Sequence, residues 1–141
     1  MNSSPLSDSI FEIVHSYKVA MRRALKAKEL GLNKMYVKCL SFIHASENCT
    51  ANDIVSHFGR DKAQIARLIK DMIENGWLTK SPDPNDKRSQ LLVLTTEGQE
   101  LAIRVLDAQS ALQTKMQHNL TDEEIALFKK IAGKVSENLK L

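Results

Sequence analysis

The 141-residue chain has little cysteine, few aromatic residues and no long hydrophobic run. Its two cysteines are too few for the disulfide framework of a small secreted domain. No apolar run approaches the roughly 18 residues that a membrane-spanning helix needs, and residues 1–9 lack the basic-then-apolar order of a signal peptide. We therefore expect a cytoplasmic protein with no membrane partner.

Signatures of catalysis and metal binding are also missing from the sequence. It has no glycine-rich phosphate loop and no arrangement of nucleophile, base and orienting group, so we do not expect an enzyme. The four histidines form no His-x3-His pair, and none lies three residues from a cysteine. We expect no metal site and no cofactor. The histidines are scattered along the chain, at His15, His44, His57 and His118.

The cysteine pair leaves two interpretations open. Cys39 and Cys49 are ten residues apart, which is no metal-binding spacing. They are either two ordinary thiols or a pair that senses peroxide or other thiols.

Basic charge is concentrated in the first two thirds of the chain. The net charge is only +3, but residues 1–40 carry seven Lys/Arg against three Asp/Glu, and residues 60–90 carry seven against five. Residues 91–141 carry six against seven. A local surplus of positive charge favours contact with phosphates, although charge alone is also compatible with an ordinary solvated surface.

Apolar residues at helical spacing predict six helices. With 43% hydrophobic residues the chain can bury a core, and its length fits one compact unit. The predicted helices span Ile10–Lys28 with Gly31 as its C-cap, Lys34–Ala45 after Asn33, Thr50 to Gly59, Asp61–Asn75, Thr95 or Thr96 to about His118, and a last helix that begins at Thr121.

The third and fourth of these helices form a helix-turn-helix. Thr50 with Asp53 resembles a capping box in which Asp replaces Glu, and Gly59 ends the short helix. Asp61, with Gln64 three residues later, begins the next one. Two short helices separated by a turn that contains glycine are typical of this motif.

A charged hairpin follows the helix-turn-helix. A short apolar run from Trp77 to Thr79 leads into a polar turn over residues 82–85, and the charged tip Asp86-Lys87-Arg88 precedes an apolar strand that ends at Leu94. A helix followed by a basic hairpin is a winged helix, whose usual partner is duplex DNA. We therefore predict a mainly α fold with a small β-hairpin wing.

The terminal helices carry more apolar positions than a small winged helix needs to cover. Two helices with apolar stripes and no partner in the module indicate an interface, and a two-fold dimer is the commonest solution. The predicted organisation is an N-terminal dimerisation helix in residues 1–32, a winged helix-turn-helix in residues 33–95 and C-terminal dimerisation helices in residues 96–141, intertwined as one unit.

The start of the fourth helix holds the predicted base-reading residues. Lys62, Ala63 and Gln64 are the first side chains that a helix N-terminus would present to base edges in the major groove. Glutamine can pair bidentately with adenine, and lysine or arginine with guanine. Arg67 reaches a base, a phosphate or a carboxylate of the protein itself, and Lys70 is a phosphate-facing or solvated charge.

The predicted backbone contacts lie on both sides of that helix. Thr50 and Asn52, at the start of the third helix, and Arg60, in the turn, can meet phosphates, although Thr50 can also be a simple cap. In the wing, Arg88 fits the minor groove, where the negative potential of narrow A·T tracts is greatest. Lys87 adds a phosphate contact, and Asp86 orients Arg88 or a neighbouring amide.

A pocket for a small molecule is predicted where the terminal helices meet the winged helix. Aromatic rings and a cation suit an anionic compound, although methionine and tyrosine at helical spacing are also ordinary core residues. The candidate lining residues are Tyr17, Lys18, Met21, Arg22 and Tyr36.

These motifs together resemble the MarR family of bacterial winged-helix regulators, over nearly the whole chain. The segments that match are the wing motif Asp86-x-Arg88 followed after five residues by Leu94-Thr95, the recognition helix over residues 61–69 and the wing entry over residues 75–78. The resemblance implies a bacterial or archaeal nucleoid-associated homodimer that binds pseudo-palindromic operators. It also implies repression of nearby genes, often relieved by small anionic or phenolic compounds.

Two departures from the family pattern bear on mechanism. Ala63 and Ala66 stand where many members carry serine or threonine, so Gln64 and Arg67 must carry more of the readout. The first helix lacks the reactive cysteine of the family's redox branch, so we do not expect that mechanism here. The alternative function, a winged-helix module that binds proteins and does not read DNA, predicts loss of the basic wing tip and recognition helix, and both are present.

Overall fold

The computed structural model describes residues 4–26 and 30–140. In this part of the chain, six helices and one two-stranded hairpin follow one another in the predicted order. They are α1 (Leu6–Leu25), α2 (Lys34–Ala45), α3 (Ala51–Phe58), α4 (Lys62–Glu74), β1 (Leu78–Pro82), β2 (Gln90–Leu94), α5 (Thr96–Met116) and α6 (Asp122–Leu139).

The predicted N-caps at Thr50 and Thr121 and the predicted C-cap at Gly59 are confirmed. Thr50 and Asp53 form a reciprocal capping box at the start of α3, with hydrogen bonds of 2.9 and 3.2 Å. Thr121 and Glu124 form the second box, at the start of α6. Gly59 takes the left-handed conformation (φ 62°) at the end of α3, which glycine adopts without a Cβ penalty. Short polar side chains therefore fix where these helices begin.

The first helix differs from its prediction at both ends. It begins at Leu6, directly after Pro5, and it ends at Leu25, not at Lys28. Lys26 is left-handed (φ 52°), and its N–H donates to the carbonyl of Arg22, which ends the helix. Gly31 (φ 73°) therefore lies in the turn before α2 and is not the helix cap. Lys28 itself lies outside the described residues.

The hairpin is longer than the apolar pattern predicted. β1 continues past Thr79 to Pro82, which pairs with Gln90 in an antiparallel register that also sets Leu78 opposite Leu94. Pro82 was predicted in the turn, but β1 is an edge strand, where a residue without an N–H is tolerated. Helix α5 is slightly shorter than predicted, since it ends at Met116 and not near His118.

A further backbone contact attaches the wing to the helix-turn-helix. Thr50 forms an isolated antiparallel bridge with Leu91, and the N–H of Leu92 donates to the carbonyl of Cys49 at 2.8 Å. The segment that leads into α3 thus acts as a short third strand beside β2. This pairing fixes the hairpin against the N-terminus of α3.

The hydrophobic core lies between α2, α3, α4, the hairpin and one face of α5. The predicted stripe of α4 is buried at Ile65, Ile69 and Met72, and Leu68 is half-buried. The predicted stripe of α5 is buried throughout, at Leu101, Val105, Ala108 and Leu112. Both helices therefore present their predicted apolar faces to the core.

The junction that we call the wing root joins α4, the hairpin and α5, and it consists of Gly76, Trp77, Thr95 and Gly98. The buried Trp77 donates its N–H to the carbonyl of Met72 (3.0 Å), and its own carbonyl accepts from the N–H of Thr95 (3.0 Å). The hydroxyl of Thr95 donates to the carbonyl of Gly76 (2.6 Å) and accepts from the N–H of Gly98 (3.0 Å). Both ends of the hairpin are thereby held at one point.

The apolar stripes of α1 and α6 are not covered within one protomer. Phe11 is 69% exposed on α1, and Phe128 and Ile131 are 58% and 49% exposed on α6. No residue of α6 is buried, although the stripe includes Ile125 and Val135. Among the described residues, no helix has the length and apolar character needed to cross a membrane.

Candidate nucleic-acid interface

A groove of about 720 Å³ lies between the N-termini of α3 and α4 and the inner face of the wing. It brings together five of the predicted contact residues from three separate elements, and we call it the interface groove. The polar and charged residues that line it are Thr50, Asn52, Lys62, Lys80, Asp83, Asp86, Arg88, Ser89 and Gln90.

The predicted base-reading residues form the outer face of α4. Lys62, Ala63, Gln64, Arg67 and Lys70 are all exposed. Their exposure follows from helical geometry, because the intervening apolar positions turn toward the core. Of these five residues only Lys62 lines the interface groove, and the others project from the same helix outside it.

The alternative interpretation of Arg67 was an ion pair within the protein. Within residues 4–26 and 30–140, the ion pair Lys140–Glu137 is the one that forms, and it lies at the far end of α6. Arg67 contacts no carboxylate of the described chain within 4.0 Å. Its guanidinium is therefore available to a ligand such as a phosphate or a base.

The wing tip is shaped by two aspartates. The carboxylate of Asp83 accepts from the N–H of Asn85, and that of Asp86 accepts from the N–H of Arg88, each at 2.9 Å. These Asx turns hold the tip in a bent conformation. Asp86 thus orients the backbone at Arg88 and leaves the exposed guanidinium free to point into the interface groove.

Thr50 is a helix cap that also lines the interface groove. Its hydroxyl oxygen accepts from the N–H of Asp53, which is the capping function. The hydroxyl proton remains a donor at the edge of the interface groove, beside the exposed Asn52. Arg60 and Lys87 are exposed but do not line the groove.

Four polar groove residues were missed in the sequence analysis, namely Lys80, Asp83, Ser89 and Gln90. Lys80 lies opposite the buried Leu92 in the hairpin register, so the two share the inner face of the wing. The alternation from buried Leu78 to Lys80 is a signal that could have identified it. Gln90 pairs with Pro82, a position that the shorter predicted strand excluded.

A second cavity, of about 590 Å³, lies between α1, α2 and α5, and we call it the α1–α2 cleft. It gathers four of the five predicted pocket residues, namely Tyr17, Lys18, Met21 and Arg22. Lys34 and Lys38 add two more cations from α2, and none of the described residues that line the cleft is acidic. The cleft therefore combines an apolar floor with positive charge.

Tyr36, the fifth predicted pocket residue, lies elsewhere. Its ring packs edge-on against Trp77 at the wing root, with ring centroids 5.2 Å apart and an angle of 79° between the planes. On α2 the neighbouring Val37 faces the cleft instead. One residue is 100° around a helix from the next, so Tyr36 and Val37 serve different surfaces.

Both cysteines are buried thiols. Burial raises the pKa of Cys39 to about 11, with a smaller contribution from the nearby Cys49. Burial, followed by the Asp53 carboxylate, raises the pKa of Cys49 to about 11 against a weaker opposite effect of Ser46. Because the thiolate is the reactive form, these environments favour the interpretation as ordinary core thiols.

The raised thiol pKa values predict how the cysteines react and how stability depends on pH. Between pH 9 and 11 an unfolded chain would ionise both thiols while the folded chain retains their protons, so their contribution to stability is present below pH 9 and is lost as the pH rises toward 11. At pH 8 we expect alkylation by iodoacetamide to be slow in the native protein and fast in urea. Rapid modification of the folded protein at pH 8 would contradict this expectation.

Comparisons with known proteins agree with these features. The model of the MarR family matches residues 32–90. The chain is 29% identical over 119 residues to the HTH-type transcriptional regulator BilQ of Clostridioides difficile. The aligned region covers 84% of this chain and 79% of that protein. It is 28% identical over 108 residues to the multiple antibiotic resistance protein MarR of Escherichia coli, with 75% and 74% covered.

The fold is shared with solved structures of such regulators. A MarR family regulator from Listeria monocytogenes, complexed with 26mer DNA, superposes with a TM-score of 0.72 and 24% identity over 96% of this chain and 89% of that one. At this identity the likeness establishes the fold, which is a mainly helical protomer with a two-stranded wing.

Proposed function

We propose that the chain is a transcriptional regulator of the MarR family, whose model matches residues 32–90, and that it acts as a homodimer that reads duplex DNA in a sequence-specific manner. One observation carries this proposal: Lys62, which begins the exposed polar face of α4, and Arg88 of the wing tip line a single groove. A helix and a wing so arranged can occupy a major groove and the adjacent minor groove of B-DNA.

Each element has a separate role in this mechanism. Lys62 and Gln64 would present their side chains to base edges in the major groove, where a bidentate pair gives discrimination between bases. Arg67 and Lys70, farther along α4, would contact phosphates or bases. Arg88 would enter the minor groove, where sequence is read through groove width and potential.

Residues near the N-terminus of α3 would position the protein on the DNA backbone. Thr50 and Asn52 lie in the interface groove, and Arg60 follows in the turn before α4. Such contacts fix register but carry no sequence information directly. Lys80 and Lys87 would add charge to the phosphate contacts made by the wing.

The exposed faces of α1 and α6 are the proposed dimer interface. A second copy of the chain would cover side chains such as Phe11 and Phe128, which are more than half exposed in one protomer. Burying a side chain of this size contributes about 1.5–3 kcal/mol. We therefore assign dimerisation to residues 1–32 and 96–141, and DNA binding to residues 33–95.

We also propose that binding represses transcription and that a small anionic or phenolic compound relieves it by occupying the α1–α2 cleft. The ring of Tyr17 and the thioether of Met21 offer apolar contact, and Lys18 and Arg22 offer charge for a carboxylate or phenolate. A protein of the same fold is known in complex with DNA, which supports the DNA-binding part of the proposal.

Selection from random duplex DNA, followed by a salt titration on the selected sequence, tests the proposed function. An enriched inverted repeat with half-sites about one helical turn apart would support a dimeric reader. The affinity should fall steeply with salt because phosphate contacts release counterions. Failure to enrich any sequence would contradict specific reading and favour the alternative of a protein-binding module.

Gln64 is the residue whose replacement should change sequence preference most clearly. In Gln64→Ala we expect the preference at one base position of each half-site to relax, because alanine cannot pair bidentately with adenine. Affinity for unrelated duplex DNA should change less than about twofold, since phosphate contacts remain. Repeating the selection with the variant measures both effects, and an equal loss on all sequences would make Gln64 a positioning contact instead.

A further inference from the structure

We propose that Tyr36 is a positioning residue that holds the wing at its working angle to the recognition helix, acting through Trp77. The inference rests on the proposed DNA binding and assigns a role to a side chain that touches neither the interface groove nor the α1–α2 cleft. Its basis is the place of Tyr36 on α2 beside the wing root.

Tyr36 makes its contact with Trp77. The edge-on ring pair at 5.2 Å joins α2 to the first residue of the wing, and Trp77 is 5% exposed. Such pairs contribute beyond the apolar area that they bury and prefer this perpendicular geometry. Because Trp77 is bonded through its backbone to both Met72 and Thr95, a change in its ring position would be transmitted to α4 and to the end of β2.

The surroundings of the Tyr36 hydroxyl agree with this placement. Burial, and after it the Asp71 carboxylate of α4, raise the pKa of this hydroxyl. The geometric contact that carries the proposal is the ring pair with Trp77.

The backbone of Tyr36 is held in place at the start of α2. Its backbone N–H donates to the side-chain oxygen of Asn33 (2.8 Å), which is the cap of α2. Behind it, Cys39 and Leu40 are fully buried on the same helix. Tyr36 thus projects from a rigid element, and a ring held in this way can define the position of the more exposed hairpin.

A double-mutant cycle with Arg88 distinguishes positioning from a merely structural role. We measure operator affinity for the full-length wild type, Tyr36→Leu, Arg88→Ala and the double variant. If Tyr36 positions the wing, Tyr36→Leu should weaken binding about tenfold, and the added loss from Arg88→Ala should fall below about threefold, because a misplaced arginine has little contact to lose. Tyr36→Phe keeps the ring contact and should retain the full effect of Arg88→Ala.

Phe42→Leu is the matched control. Phe42 is a half-buried aromatic residue of the same helix, but it stacks on His57 (4.4 Å) and lies away from the wing root. Its replacement should leave the loss caused by Arg88→Ala unchanged. Far-ultraviolet circular dichroism verifies that each variant is folded, since the fluorescence of Trp77 responds directly to the loss of the Tyr36 ring.

Three outcomes separate the possibilities. An undiminished Arg88→Ala loss in folded Tyr36→Leu would overturn the positioning role while leaving the proposed function intact. A wild type that binds duplex DNA without sequence preference would instead contradict the proposed function. An affinity that does not depend on Arg88 would remove the wing from the interface and overturn the positioning role with it. If Tyr36→Leu does not fold, the same cycle is measured with Tyr36→His, whose smaller ring offers less surface to Trp77. An undiminished Arg88→Ala loss in that variant would overturn the positioning role in the same way.

Discussion

Replacing Arg88 by alanine is expected to weaken operator binding by about tenfold to a hundredfold. The guanidinium lies at the bent tip of the wing, with its backbone fixed by Asp86 and its side chain free on the edge of the interface groove. Loss of a cation from the minor groove removes an attraction that is strongest where the groove is narrow. The slope of log affinity against log salt should also become shallower, by about one unit if one phosphate contact is lost.

Lys140→Ala is the control for this experiment. It removes the same formal charge, but Lys140 lies at the end of α6 in an exposed ion pair with Glu137. Its affinity and salt slope should match those of the wild type. If Arg88→Ala matched them too, the wing would have no part in DNA binding, and the interface would be confined to α3 and α4.

Gly98→Ala should be strongly destabilising, with a loss of about 3 kcal/mol in the free energy of unfolding. Gly98 is buried in the first turn of α5, against the backbone of Trp77. A Cβ at this position would collide with the carbonyl oxygen of Trp77 and would lie 3.0 Å from its carbonyl carbon. Backbone cannot move aside as a flexible side chain can, so α5 or the wing entry would have to shift.

Urea unfolding monitored by Trp77 fluorescence measures this loss, at one fixed protomer concentration because dimerisation couples to folding. Gly133→Ala provides the contrast, since this glycine of α6 has open space around the position of a Cβ and lies off the apolar stripe. That change should stabilise the protein by about 0.5–1 kcal/mol. Equal effects of the two substitutions would show that the close approach at Gly98 is absent in solution.

The parts of the fold that were predictable from sequence are those that short-range chemistry decides. Thr50 with Asp53 and Thr121 with Glu124 satisfy helix N-termini within four residues of chain, so the pattern alone identifies them. The buried stripe of α5 follows from spacing in the same way. The end of α1 could not be predicted in this way. Lys26 adopts a left-handed conformation there that lysine rarely takes, and no local sequence pattern indicates it.

In the candidate pocket, too, the residues that share one helix face were predictable and the residue placed by a tertiary contact was not. Tyr17, Lys18, Met21 and Arg22 were predicted as pocket residues because aromatic and cationic side chains suit an anionic compound. They line one cavity because their spacing puts them on one face of α1. Tyr36 is half-buried on another helix, and the sequence cannot tell which neighbour each face of α2 will meet. Its place beside Trp77 depends on a tertiary contact across 41 positions of the chain.

The bond from Leu92 to the carbonyl of Cys49 gives the hairpin unequal mechanical properties along its length. Near the helices, both strands are tied to neighbouring backbone, and the base of the wing is stiff. Beyond Pro82, the contacts of the tip lie within the hairpin itself, among them two Asx turns and a bond from the N–H of Asp83 to the carbonyl of Ser89. On the proposed mode of DNA binding, a tip less constrained than its base would let Arg88 adapt to minor grooves of different width while α4 keeps its register in the major groove. The protein would then tolerate half-sites whose flanking sequences differ.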